Sequence, residues 1–260
     1  MTARFSAGLR NYVAQNGSYR NAMLGGKIQI YSGSQPSTAE AAPTGTLLVT
    51  ITNASGAHTN EVRATGTVTL TGGASGSVDT LTVDSVALLP AAVPFNTSLT
   101  QTAADVVTAI NNNQSIPEYS ASSSGAVITI KAPYGHGTAA NGLVVATTVT
   151  TITKTDVNMG SATSGVDSVN GLSLGSVAAG VLSKLGTETW SGVAAATGTA
   201  GWFRFTSAVA DSGALDSTES QVRIDGAVST SGQQLNMSST AITSSATQTI
   251  SAFDITLPTS

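Results

Sequence analysis

The segment Ala64-Thr-Gly-Thr-Val-Thr-Leu-Thr71 alternates threonine with small or apolar residues, and the same period-two texture returns at Val78-Asp-Thr-Leu-Thr-Val-Asp84, Ala126-Val-Ile-Thr-Ile-Lys131 and Leu143 to Thr153. β-Branched side chains are stiff in a helix but pack well on a pleated surface, so these runs predict short strands with one apolar and one threonine face. No other feature narrows the fold as much. Only 9% of the residues are charged, against about 25% in an ordinary soluble domain. Neutral small residues must therefore cover the surface, and threonine, serine, alanine, glycine and asparagine suit closely packed strands and tight turns.

At 260 residues the chain allows one large or two small domains, since a typical domain runs to about 100–150 residues. Near the N-terminus Phe5, Leu9, Tyr12 and Val13 recur at helical spacing, which predicts a short helix ending near Asn16-Gly17. Lys27 to Tyr31 and Thr46 to Thr52 read as strands. The segment Thr102 to Asn111 differs from its surroundings. Thr102 with Asp105 resembles a capping box, Val106, Val107 and Ile110 share a face, and Asn111 to Asn113 supplies a stop, so one helix is expected there.

Beyond Gly165 the strands become more aromatic, at Thr189-Trp190, Gly201 to Thr206, Gln221 to Asp225 and the closing Gln248 to Leu257. Trp202 and Phe203 point to opposite faces of one strand; one is expected in the core and the other at an edge, an interface or a second layer. Joints at Asn53 to His58 and Ser161 to Asn170 bracket the threonine-rich middle. The expected fold is mainly β: an antiparallel β-sandwich of residues 1–62 and 168–260 with a short N-terminal helix, and an inserted, small β-rich (α+β) domain of residues 63–167 carrying one helix.

Candidate chemistry is sparse. Cysteine is absent, which excludes disulfides and thiolate sites. His58 and His136 stand in glycine-rich turns without ligand spacing and read as loop histidines. No Gly-x-Ser-x-Gly elbow or phosphate-binding loop is present. Asp79 and Asp84, or Asp211, Asp216 and Glu219, lack the spacing of a calcium loop, and Asp211 to Asp216 reads as a turn. With ten Lys+Arg, fourteen Asp+Glu and no basic run, nucleic acid is not an expected partner. Neither a signal peptide nor an apolar stretch of about 20 residues occurs, so no membrane anchor is expected. Trp190 and Trp202 could stack on sugars, but scarce aromatics are usually needed for packing. Trp190, Trp202 and Phe203 are thus the candidate interface or ligand-contact residues, with no catalytic, metal or cofactor site expected.

Two resemblances cover most of the chain. Gly25-Gly-Lys-Ile-Gln-Ile-Tyr-Ser-Gly-Ser-Gln-Pro36, Ala39-Glu-Ala-Ala42, Gly180 to Lys184, Glu188 to Gly192, Gly198 to Arg204, Arg223-Ile-Asp-Gly226 and the run from Gln248 to Pro258 together resemble a family of uncharacterised tailed-phage and prophage virion proteins. In that family the two halves often run directly into each other, which implies an insertion here. Val78 to Val83, Phe95 to Val106, Ala109-Ile-Asn111 and Ala126 to Ile130 are similar to a module grafted onto several phage structural proteins. The resemblance implies a non-enzymatic virion protein, assembled in the host cytoplasm, whose partners are other virion proteins and copies of itself. A decoration or cement role on the outer capsid shell is the leading expectation. The alternatives are a neck, tail or baseplate adaptor and a receptor- or glycan-binding module.

Overall fold

Strand-forming runs become strands almost throughout: residues 3–16 and 18–256 are described by a computed structural model that is mainly β. Its contacts divide the chain into two units, Met1–Glu61 with Ser168–Ser260, and Val62–Asp167. In chain order the first unit opens with β1 (Arg4–Phe5), α1 (Ala7–Asn16), α2 (Tyr19–Ala22), β2 (Lys27–Ser32) and β3 (Leu47–Asn53). The second contains β4 (Thr65–Gly72), β5 (Ser77–Val83), β6 (Val86–Ala87), β7 (Val93–Pro94), α3 (Leu99–Asn112), β8 (Ser120–Ser124), β9 (Val127–Lys131), β10 (Val145–Thr150) and β11 (Thr153–Val157). The first unit resumes with β12 (Leu174–Ala178), β13 (Val181–Lys184), β14 (Trp190–Val193), β15 (Gly198–Thr206) and β16 (Arg223–Ser229). It closes with β17 (Leu235–Asn236), β18 (Ala241–Ile242), β19 (Thr247–Ile250) and β20 (Ala252–Thr256).

In the first unit the strand order is β12-β13-β20-β17-β16-β15-β2-β3-β14-β19, with β1 on β16 and β18 on β15. Every pair is antiparallel except β16 with β17. The path folds back on itself. Trp190 of β14 and Phe253 of β20 lie far apart along it, yet their rings approach to 5.5 Å, and Phe203 and Phe205 of β15 meet the same Phe253 ring edge-on at 5.5 and 5.7 Å. All four rings are buried, each contributing about 1.5–3 kcal/mol through the apolar area removed from water.

The second unit has two four-stranded sheets, β11-β4-β9-β8 and β10-β5-β6 with β7 beside β5. Its core is aliphatic, built around Val68, Leu70, Val78, Leu81, Ile128 and Ile130, with Val106 and Ile110 from one face of α3. β10 and β11 belong to different sheets, and side chains join them: Asp156 and Asn158 accept from the Thr147 and Val145 N–H groups at 3.0 and 3.2 Å. Facing threonines pair between strands, Thr80 with Thr148 at 2.6 Å and Thr71 with Thr153 at 3.0 Å. At the sheet margin the Asn111 carboxamide donates to the Ala121 carbonyl at 2.9 Å and accepts from its N–H at 2.8 Å, occupying the outer edge of β8.

Several expectations shift. Phe5 is not on the N-terminal helix but in β1, opposite Ile224, because Ser6 Oγ accepts from the Leu9 N–H and starts α1 at Ala7. A further short helix, α2, follows, capped by Ser18. α3 begins at Leu99 under Ser98, which accepts from the Gln101 N–H; Thr102 turns inward, donating to the Ser98 carbonyl and accepting from the Asn96 N–H. The expected single strand from Leu143 to Thr153 bends into β10 and β11, and the closing run breaks at Ser251 into β19 and β20. Gly17 and Leu257, the expected ends of the first helix and the last strand, lie outside the described residues.

Candidate functional site

Strand β15 organises the unit formed by residues 1–61 and 168–260, because alternate side chains serve two unlike faces. Phe203 and Phe205 enter the aromatic core. Trp202 and Arg204 point the other way, into a layer that is also closed, so both Trp202 and Phe203 are fully buried. Of the placements expected for the pair, Phe203 takes the core and Trp202 the second layer, where loop residues rather than a free edge cover it.

That second face carries buried charge. Arg204 donates from Nε and Nη2 to the two Asp225 oxygens at 2.8 and 2.7 Å, directly across the β15–β16 ladder. Arg223 makes a second fork to Asp211, at 2.6 Å from both Nε and Nη2. The same side chains, with Trp202, also hold main chain, although Arg204 Nη1 is buried without a hydrogen-bond partner. Arg204 reaches the Ala41 carbonyl at 3.0 Å, Arg223 reaches Glu40 and Ala39 at 3.1 and 3.3 Å, and the Trp202 indole donates to Thr44 at 3.2 Å. Arg4 donates to the Pro36 carbonyl. Residues 36–44 are thus strapped over the sheet by guanidinium and indole donors. Trp202 stacks on Tyr31 with ring centres 4.6 Å apart beneath this strap.

Electrostatics follow the burial. Burial pushes the Asp225 carboxyl above its ordinary value, although the Arg204 fork draws it back. For Arg223 burial opposes the charged form, but the Asp211 hydrogen bonds and charge outweigh it and hold its pKa above the ordinary guanidinium value. Asp216 is lowered despite burial, because it accepts from the Gln221 and Thr218 N–H groups. Asp211 and Asp216, weighed above as calcium ligands, are therefore committed to Arg223 and to main-chain donors. Among the described residues no group of three or more histidine or carboxylate side chains is placed to hold a metal ion.

The core face of β15 leads to a different feature. Between β1 and β20 lies a cleft of about 430 Å³ lined by Phe5, Phe203, Ile224, Ile255 and the turn Gly232 to Gln234. β17, only two residues long, spans the gap between β16 and β20 at Val228 and Phe253 but reaches no further. Beside the gap, the Gln234 side chain accepts from the Ala227 N–H at 3.1 Å. Gly226 is required here: a Cβ would come within 2.5 Å of the Phe203 ring.

The remaining sequence candidates are scattered. Trp190 is buried and donates to Glu188 at 2.8 Å, away from both features. His58 Nε2 pairs with the Gly25 carbonyl at 3.0 Å, and burial, with help from Lys27, lowers its pKa. His136 precedes a 3₁₀ turn at Gly137–Ala140. Asp79 is held by Ser77 and Thr150, and Asp84 occupies a left-handed turn position at φ +46°. Of the sequence-derived candidates only Phe203 lines the cleft. The charge network was missed, and its signal was present: arginines and an aspartate embedded in apolar strand runs, in Trp202-Phe-Arg-Phe205 and Val222-Arg-Ile-Asp225.

No protein-family model matches the chain, and no curated protein matches it.

Proposed function

We propose that this chain is a non-enzymatic structural subunit of a tailed-phage virion, and that it serves as a decoration or cement protein on the outer capsid shell. The observation that carries the reading is the separation of the two sets of motifs. Residues resembling the virion family fall in the unit formed by 1–61 and 168–260, whereas those resembling the grafted module fall in Val62–Asp167. The threonine and serine faces add support, since uncharged polar surfaces pack against neighbours without desolvating ions. Other virion proteins and copies of itself are the partners in this proposal. Counting copies in purified particles tests it: hundreds per particle with density on the shell are expected. Six or twelve copies, as closed ring symmetry requires, would instead assign it to the neck or tail.

A further inference from the structure

Asparagine followed by glycine is the pair most prone to lose its side-chain amide, because an unhindered main-chain nitrogen can attack the carboxamide carbon and close a five-membered ring. The chain has three such pairs, Asn16-Gly17, Asn141-Gly142 and Asn170-Gly171, and Gly17 lies outside the described residues. The fold treats the other two oppositely.

Asn141 is locked. Its Oδ1 accepts from the Gly165 N–H at 2.6 Å and its Nδ2 donates to the Gly165 carbonyl at 3.0 Å, so the carboxamide cannot turn without losing both. The attacking group is engaged as well, since the Gly142 N–H donates to the Met159 carbonyl at 2.8 Å. At Asn170 only Nδ2 is held, by the Ala57 carbonyl at 2.8 Å. Among the described residues its Oδ1 accepts from no donor, and the Gly171 N–H donates to no acceptor. Asn170 and Gly171 are both partly exposed, so water reaches the reacting groups.

We infer that Asn170 is a self-modification site at which the folded chain deamidates, while Asn141 is protected. The Gly171 nitrogen bonds to Asn170 Cγ, and its proton leaves with the side-chain nitrogen as ammonia. Water then opens the succinimide at either carbonyl, giving aspartate or isoaspartate with no redox step. The position gives this chemistry a mechanical consequence. Val169 exchanges main-chain hydrogen bonds with Thr59 at 3.1 Å, Leu172 is pinned to Gly25 and Gly26 at 2.9 and 2.8 Å, and between them the Asn170 carbonyl accepts from the Asn53 N–H at 2.9 Å. Isoaspartate puts one more carbon into the main chain between these pins and turns the carbonyl that Asn53 uses into a free carboxylate. Aspartate sets a carboxylate against the Ala57 carbonyl, leaving two acceptors without a donor between them. Either product loosens the pairing of Thr59 with Val169 as the chain ages. The inference stands apart from the virion reading, because purified chain is enough to test it.

The full chain is held in mildly alkaline buffer, then digested rapidly for peptide mass mapping and an isoaspartate methylation assay. Asn170 should convert at least about tenfold faster than Asn141, whose protection rests on two more hydrogen bonds. In denaturant the two rates should converge. Hydrogen exchange at Thr59 and Val169 should accelerate several-fold in the aged chain and stay at its starting rate in Asn170→Gln aged in parallel, because the longer side chain does not close a five-membered ring. Retention of the Asn170 amide, equal conversion of the two sites in the folded chain, or unchanged exchange in chains shown to be converted overturns the inference. The comparison of the two asparagines uses the unsubstituted chain, so it decides the matter even where Asn170→Gln folds poorly.

Discussion

The two units are built from similar neutral strands but are secured differently. Residues 1–61 and 168–260 enclose an aromatic cluster of Trp190, Phe203, Phe205 and Phe253 and a second layer of forked Arg–Asp pairs that are almost completely removed from solvent. Residues 62–167 rely on an aliphatic core, threonine pairs between strands and carboxamide or carboxylate groups standing in for missing ladder partners. One ion pair there, Lys154 with Asp156, keeps a quarter of the lysine side chain exposed. Charge is thus concentrated where it holds a loop in one place, whereas in the insert short polar side chains finish what the backbone leaves open.

This contrast can be broken experimentally. The largest effect is expected at Asp225: Asp225→Ala leaves Arg204 buried without its partner and should cost about 3–5 kcal/mol in denaturant unfolding, while Arg204→Met with Asp225→Leu should recover most of it. A small loss in the single variant would mean that the forks do not secure the strap. Ile110→Ala, in the α3 core face, should cost about 2–5 kcal/mol, and hydrogen exchange should accelerate in residues 62–167 and not across β15 and β16. Equal acceleration in both would erase the distinction drawn here.

Acid sharpens the comparison by sign. Burial raises the Glu40 carboxyl, but the Ala7 N–H and other donors outweigh it, so Glu40 and Asp216 are both held low. Asp105 and Asp167 in the insert are lowered by their hydrogen bonds to Asn96 and Gln101 and to Thr138. Each of these stabilises the fold above the ordinary carboxylate range and loses that contribution as pH falls through its folded value, so both units weaken below about pH 4. Asp225 runs oppositely: its raised value gives a contribution complete at low pH and lost as pH rises past it. Carboxyl carbon NMR should place Asp225 above, and Asp216 below, an unperturbed aspartate; the reverse order would refute the assignment.

Smaller effects are expected at the margins of the insert. Asn111→Ala uncovers the β8 edge at Ala121 and should cost about 1 kcal/mol while increasing light scattering on standing. Lys154→Ala should change stability by less than about 1 kcal/mol, as for partly exposed ion pairs generally.

Much of this architecture was legible in the residues. Period-two threonine runs gave β4, β5, β9 and β10, and the change of texture at Ala64 and Gly165 lies close to the boundaries of the two units. Pattern alone failed where one side chain does two jobs. Thr102 has a capping residue's identity but sits within the helix, since Ser98 already fills the cap. The strap of residues 36–44 carries no periodic pattern; arginines more than 160 positions away determine its place. The cleft was equally hidden, because a gap between strands reflects the shortness of β17 and not the composition of its walls.

The pairing at the two chain crossings has a consequence for how such molecules diversify. In the host, Thr59 and Val169 exchange both main-chain hydrogen bonds at 3.1 Å, and in the insert Val62 and Val166 do the same at 3.0 and 2.9 Å. Each unit therefore has its two ends fastened side by side. Replacing residues 62–167 with a two- or three-residue turn closes a short loop across an existing bridge, at little entropic cost. The site is a socket: recombination that exchanges the insert for any domain with adjacent termini leaves the host's strands in register.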